Sequence, residues 1–298
     1  MIMTIKKNQE SHIDKKTLIT MGMTASLDIR KKYWSDLKNP ICIYDLCEKQ
    51  NVSVRFNDIN MEGMYVKEPK PTIHLSALRP LARRKFTCAH ELGHHIFGHG
   101  STIDELRDEQ LKYSDRPPNE IIADAFAAFL LMPTLGLREA FTIRKLKPEN
   151  ARALDIYFIA CNFGVGQATL VNHLAYGINM ISSQKREVLG KITPKAIRTE
   201  ILGKIVSEPL IVVDDYWKSP TLDIEENTLL LLPKNVVVDA KVLMPEMEVN
   251  LGRVFRPTKT GITRVIIPNT AGAIYIRISR RQYTGLAKYR HLEDAIDD

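Results

Sequence analysis

Between about Leu81 and Tyr176 apolar residues recur at helical spacing, and after about residue 200 they gather into short β-branched runs, so the chain reads as helical first and β-rich later. Ahead of both, residues 1–38 are polar and rich in lysine (Lys6, Lys7, Lys15, Lys16, Lys31, Lys32), which predicts a loosely attached arm or a short helix. From Pro40 the pattern tightens. Ile43, Leu46 and Cys47 fall at helical spacing, and Val52–Phe56 and Pro71–Leu75 read as short strands. A polar, proline-containing loop around Ser114–Pro118 interrupts the helices. A basic connector (Lys185, Arg186, Lys191, Lys195, Arg198, Lys204) leads to the runs Leu210–Val213, Thr228–Leu232, Val236–Val238, Arg264–Ile267 and Ala273–Ile278, which predict strands between Pro233, Pro245, Pro257 and Pro268. The expected organisation is an arm over 1–38, a mainly helical domain with a small sheet over 39–185, and a β-rich domain over 200–298. The fold class is α+β.

A length of 298 residues suits two domains, and 44% hydrophobic with 26% charged residues excludes a wholly disordered, collagenous or coiled-coil chain. The longest apolar stretch, Ile121–Met132, is interrupted by Asp124 and falls short of the ~20 residues of a membrane span. The first residues lack the apolar core of a signal peptide, so the expectation is a cytoplasmic protein with no membrane partner. Four cysteines without a C-x-x-C spacing read as small buried hydrophobes rather than disulfides or a thiolate metal site. The excess of 42 basic over 35 acidic residues is compatible with an acidic partner but too diffuse to require one.

Chemistry concentrates in His90-Glu91-Leu92-Gly93-His94. Four residues is a little over one helical turn, so His90 and His94 project from one face about 6 Å apart along the axis and can converge on one metal ion. Glu91 beside them is placed to take a proton from an attacking water and return it to a leaving amine at a zinc centre. Phe86, Ala89, Gly93, Ile96 and Phe97 give the segment an apolar side, and Gly98 and Gly100 supply a stop.

A catalytic zinc usually has three protein ligands. The extended zincin pattern with a third histidine needs Gly three residues after His94 and His six after it; this chain has Phe97 and Gly100 there. The better candidate is a carboxylate on the helix Asn119–Met132, opened by Pro117-Pro118 and closed by Pro133, whose acids Glu120 and Asp124 share one face. If Glu120 completes a His₂Glu site, Asp124 is one turn away to accept the second ring N–H of a ligand histidine. The alternative is a helix-start acid at Glu120, favoured by the dipole, and an exposed Asp124.

Arg83-Arg-Lys-Phe-Thr-Cys-Ala-His-Glu-Leu-Gly-His, followed about thirty residues on by Glu120-Ile-Ile-Ala-Asp-Ala-Phe-Ala-Ala-Phe-Leu-Leu-Met-Pro, resembles the ImmA/IrrE family of bacterial zinc metallopeptidases over roughly residues 40–180. Asp124 departs from that family's usual Asn, and Cys88 from its usual aliphatic residue. The resemblance implies a thermolysin-like (gluzincin) core with one Zn²⁺ per chain, held by His90, His94 and Glu120, and Glu91 as catalytic acid/base. It also implies a limited cut in a protein substrate, a helix-turn-helix transcriptional repressor encoded nearby, which derepresses a stress, DNA-damage, mobile-element or anti-phage defence operon. A further implication is an appended sensory domain, here the β-rich region after residue 200. The rival is a non-proteolytic DNA-binding or antirepressor protein with a structural or vestigial metal site.

Several residues stand apart from that core. His95 is turned ~100° from His94 on a helix, which favours a packed or exposed role over ligation. His99 has no assigned task. Tyr65 is a candidate oxyanion stabiliser, with a packing role as the favoured alternative. The strand Thr72–Leu75 is a candidate for pairing with an extended peptide, or an interior strand. Residues 149–177 have helix-turn-helix spacing, with Ala151–Phe163 and Gly166–Tyr176 as the two helices, but the second carries no Arg or Lys for phosphates and reads better as a packing helix. Near the C-terminus Arg277, Arg280, Arg281, Lys288 and Arg290 interleave with Tyr275, Tyr283 and Tyr289. That pattern suits a surface for single-stranded nucleic acid, with single-stranded DNA as an activator, or equally a strand followed by an amphipathic helix.

Overall fold

The computed structural model describes residues 14–33, 36–104, 116–267 and 273–292; Lys6, Lys7, Ser114 and Pro268 lie outside them. In chain order the helices are α1 (Lys15–Tyr33), α2 (Ile43–Lys49), α3 (Leu81–Phe97), α4 (Pro118–Leu131), α5 (Thr134–Ile143), α6 (Ala153–Phe163), α7 (Gln167–Asn172, continuing as a π turn to Gly177), α8 (Ser183–Gly190) and α9 (Pro194–Leu202). The strands are β1 (Ser53–Asn57), β2 (Gly63–Val66), β3 (Thr72–Ser76), β4 (Thr102–Asp104), β5 (Leu210–Val212), β6 (Thr221–Glu225), β7 (Leu229–Leu232), β8 (Leu243–Val249), β9 (Gly252–Pro257), β10 (Gly261–Ile266), β11 (Ala273–Ser279) and β12 (Gly285–Leu286). The class is α+β.

The expected polar arm is, over its described part, a helix packed along α4. Leu18, Gly22, Ser26 and Arg30 repeat every four residues and form its buried face. Small and polar side chains on that face hide it from a periodicity reading. Arg30 is 1% exposed and donates through Nε and Nη2 to Leu130 O at 2.9 and 2.6 Å, and through Nη1 to Asn39 O at 3.0 Å. Leu130 belongs to the last turn of α4, whose carbonyls have no partner within the helix, so the guanidinium supplies the missing donors.

The first sheet runs β12-β1-β3-β2-β4, with β1 and β3 parallel and the other pairs antiparallel. β3 is paired on both sides and has no open edge, which removes it as a peptide-pairing strand. The outer strands of the sheet, among the described residues, are β12 and β4. Helix α3 follows β3 directly and lies on β2 and β3, with α4 beside it. Together α4 and α5 cover Pro118–Ile143, long and apolar enough to cross a membrane, yet 78% of its most apolar 18-residue stretch is buried inside the protein.

The basic connector is helical. Ser182 Oγ accepts from Lys185 N and Thr193 Oγ1 from Ala196 N, capping α8 and α9. Beyond it lie a sheet of order β10-β11-β6 and another of order β5-β7-β9-β8. Val236–Val238 makes only a bridge from Val237 to Ile266, whereas β6, β8 and β9, where charged residues interrupt the apolar ones, are strands the pattern did not mark. The expected break near residue 200 does not divide the core: one cluster of buried apolar residues extends from Ile43 to Ala287, and β12 completes the first sheet beside β1.

Candidate metal centre

His90, Glu91 and His94 are at most 1% exposed on α3. The approach of α4 to this helix is set by two small residues. A Cβ on Gly93 would meet Ala123 Cα at 3.1 Å and Phe126 Cδ1 at 3.2 Å, so the helices lie closer than larger side chains would allow. Glu120, in the first turn of α4, thereby comes over the two imidazoles. His90 Nε2 and His94 Nε2 are 3.0 Å apart; Glu120 Oε2 is 3.2 Å from the first and Oε1 3.2 Å from the second.

A tetrahedral ion with bonds of ~2.0 Å has ligand–ligand edges of about 3.3 Å, and the 3.0 Å between the two nitrogens and the 3.2 Å from each to one oxygen of the carboxylate suit a metal of zinc's size. The donor chemistry agrees, since two neutral nitrogens and one carboxylate form a set that such ions take.

Each imidazole is held on its other nitrogen. Asp124 Oδ1 lies 2.9 Å from His90 Nδ1, and Asp124 Oδ2 accepts from Arg116 Nη1. His99 Nδ1 lies 2.9 Å from His94 Nδ1 and its ring stacks on Phe97. Glu91 Oε2 accepts from Thr102 Oγ1 at 2.8 Å, which ties the carboxylate to β4. On β2, a Cβ at Gly63 would fall 2.5 Å from Thr87 Cγ2 and 3.1 Å from Glu91 Oε1, so this strand crosses the helix at the carboxylate itself. His99, Thr102 and Arg116 were not assigned from sequence. All three follow α3 in loops or short strands, where no periodicity announces a contact.

Tyr65 is 2% exposed and its hydroxyl lies 2.7 Å from His95 Nδ1, one turn of α3 beyond Glu91. That hydroxyl contributes to the contact between β2 and α3. Burial lowers the pKa of His95. The axes of α6 and of α7 with its π turn are bent by 102°, within the range of a helix-turn-helix. Gln167, Leu170, Val171, His173, Leu174 and Ala175 are buried, so most of the second helix is used in packing.

The C-terminal cations do not form one surface. Arg277 donates to Asp223 and Asp45 at 2.8 to 3.1 Å, and Arg290, 5% exposed, donates to Asp223 at 2.7 Å. Burial pushes the Asp223 carboxyl up, but these two guanidiniums outweigh it and hold it low. Tyr283 donates to Leu286 O, and Tyr275, Arg280, Arg281 and Lys288 are exposed. After β11 the chain forms β12 and a single 3-10 turn, Ala287–Tyr289, in place of the alternative amphipathic helix.

Residues 47–174 match the family model described as the IrrE N-terminal-like domain, Peptidase_M78. A solved structure of a Mycobacterium tuberculosis transcriptional regulator aligns at 21% identity over 52% of this chain and 46% of that one, with a TM-score of 0.35. The chain thus spans less than half of that regulator's length. No curated protein matches the chain.

Proposed function

With residues 47–174 belonging to the IrrE N-terminal-like family, we propose that the protein is a zinc endopeptidase making a limited cut in a protein substrate, a helix-turn-helix transcriptional repressor. The observation that carries the reading is the convergence of His90 Nε2 and His94 Nε2, 3.0 Å apart, each 3.2 Å from its own oxygen of the Glu120 carboxylate, with the Glu91 carboxylate on the same helix. When bound, a zinc ion supplies Lewis-acid polarisation of the scissile carbonyl and lowers the pKa of water. Glu91 Oε1 or Oε2 accepts the proton of the attacking water and passes it to the leaving amine. Thr102 holds that carboxylate, and Asp124 accepts from His90 Nδ1 so that Nε2 keeps its lone pair for the ion. β4, at the end of its sheet and bonded to Glu91, is the strand on which an extended substrate is presented.

The repressor as substrate follows from the family resemblance, and cleavage would release a stress, DNA-damage or defence operon. The region after residue 200 acts as the regulator through its contact with α3, supported by the Arg84–Glu225 ion pair. Arg277 and Arg290 are committed to ion pairs and not to a surface for single-stranded DNA. A cytoplasmic location is supported by the four free thiols.

The test is incubation with the DNA-binding regulator encoded beside this gene, followed by mass spectrometry. Wild type is expected to cut it once and Glu91→Gln to bind zinc without cutting. Equal cutting by both refutes the role of Glu91; derepression in cells by Glu91→Gln favours regulation by association.

A further inference from the structure

Ligand histidines need a fixed ring plane and a proton on the nitrogen that faces away from the metal. For His90 a carboxylate, Asp124, does this. For His94 the partner is another imidazole: the two Nδ1 atoms of His94 and His99 are 2.9 Å apart, with ring centroids at 5.0 Å and planes at 68°. Only one proton fits between two nitrogens at that distance. With His94 Nε2 turned to His90 and Glu120 as a lone-pair donor, the proton sits on His94 Nδ1 and His99 Nδ1 accepts it. His99 must then be neutral, with its own proton on Nε2.

The geometry around His99 keeps that acceptor in place. It follows Gly98, the left-handed residue that ends α3, and its backbone N–H donates to His94 O at 3.0 Å. The turn therefore folds back onto the ligand it supports. Phe97 lies nearly parallel to the His99 ring, 18° between planes and 5.7 Å between centroids, which limits rotation of the imidazole.

We propose that His99 is a positioning residue that locks the tautomer and ring plane of His94 and so sets the affinity of the centre for a divalent ion. The proposal rests on the reading of His90, His94 and Glu120 as metal ligands. It predicts a specific acceptor requirement. Asn at 99 carries an amide oxygen near where Nδ1 stands, whereas Ala leaves His94 Nδ1–H to water and the ring free to turn.

The experiment is titration of the metal-stripped full-length chain with Zn²⁺ in competition with a chromophoric chelator, alongside visible absorption of the Co²⁺-loaded protein. Expected is a loss of affinity on the order of 10- to 100-fold for His99→Ala, with a changed Co²⁺ spectrum. His99→Asn should recover affinity to within a few-fold and restore the spectrum. Affinity within twofold of wild type and an unaltered Co²⁺ spectrum in His99→Ala overturn the proposal while leaving the metal centre standing. Equal losses in Ala and Asn overturn it too, because the acceptor would then be irrelevant. Failure of wild type to bind Zn²⁺ overturns the centre, and this inference with it.

Discussion

Arg84, six residues before His90 on α3, donates from Nη2 to Glu225 Oε1 on β6 at 2.5 Å, with side-chain exposures of 3% and 11%. The guanidinium also lies 5.3 Å from the centre of the Phe56 ring on β1. A residue of the helix that carries His90 and His94 is therefore held both by the first sheet and by the region after residue 200.

Removing one member of such a pair leaves a buried charge without its partner, at a cost of about 3–5 kcal/mol. Glu225→Ala should accordingly lower the urea midpoint strongly, and a chain ending near residue 200 should fail to fold around zinc, since it also lacks β12. Zinc binding by that truncation with native-like near-UV circular dichroism would show that the contact is dispensable.

Thr102→Val removes the hydroxyl that donates to Glu91 while keeping the side chain's size. One lost hydrogen bond to a carboxylate is worth about 1.5–3 kcal/mol, so kcat/KM should fall roughly 10- to 150-fold. Zinc content should not change, because Thr102 touches no ligand atom in the triad. Gly63→Ala pushes a methyl towards the same carboxylate and should show the same split between rate and metal content. Loss of zinc in either variant would argue that β2 and β4 support the ligands rather than Glu91.

His173, 5% exposed and packed edge-on to Phe129, donates from Nε2 to Met132 O, and burial holds its pKa down at about 4. Its ordinary value is 6.5. Between those two values the unfolded chain binds a proton that the folded chain refuses, so stability rises with pH across this window. It is fully present above about 6.5 and falls by roughly 3 kcal/mol on acidification to about 4. His173→Gln, which retains a donor for Met132 O and cannot take a proton, should flatten that slope in chemical denaturation at pH 7 and pH 4.5. An identical slope in both proteins would assign it to other groups.

Arg30→Met keeps the length of the side chain but strips the donors from Leu130 O and Asn39 O. Orphaning these acceptors should destabilise the protein by roughly 2–4 kcal/mol. Because burial already lowers the Arg30 pKa to about 10, the cost of housing the charge is partly recovered in the variant, which places the expectation towards the lower end. Unchanged stability would mean that water replaces the guanidinium at both carbonyls.

The helix through His90 and His94, and the one through Glu120 and Asp124, were legible in the sequence because they depend on local order: a 3.6-residue period, prolines at the start and end of α4, and glycines after α3. The spacing alone put two imidazoles on one face and two acids on another. That the faces meet was decided by tertiary structure, through the absent side chain at Gly93 opposite Ala123. The same holds for His99, Thr102 and Arg116, whose partners lie across a turn or between elements, where no periodic pattern records the contact. Chemical type misled in two places. Arg277 and Arg290 look like a cationic surface until Asp45 and Asp223, more than fifty residues away in sequence, neutralise them. Residues 15–33 look like a solvated arm because the face they bury is made of Gly22, Ser26 and Arg30, and only the orphan carbonyl at the end of α4 gives that arginine a reason to be inside.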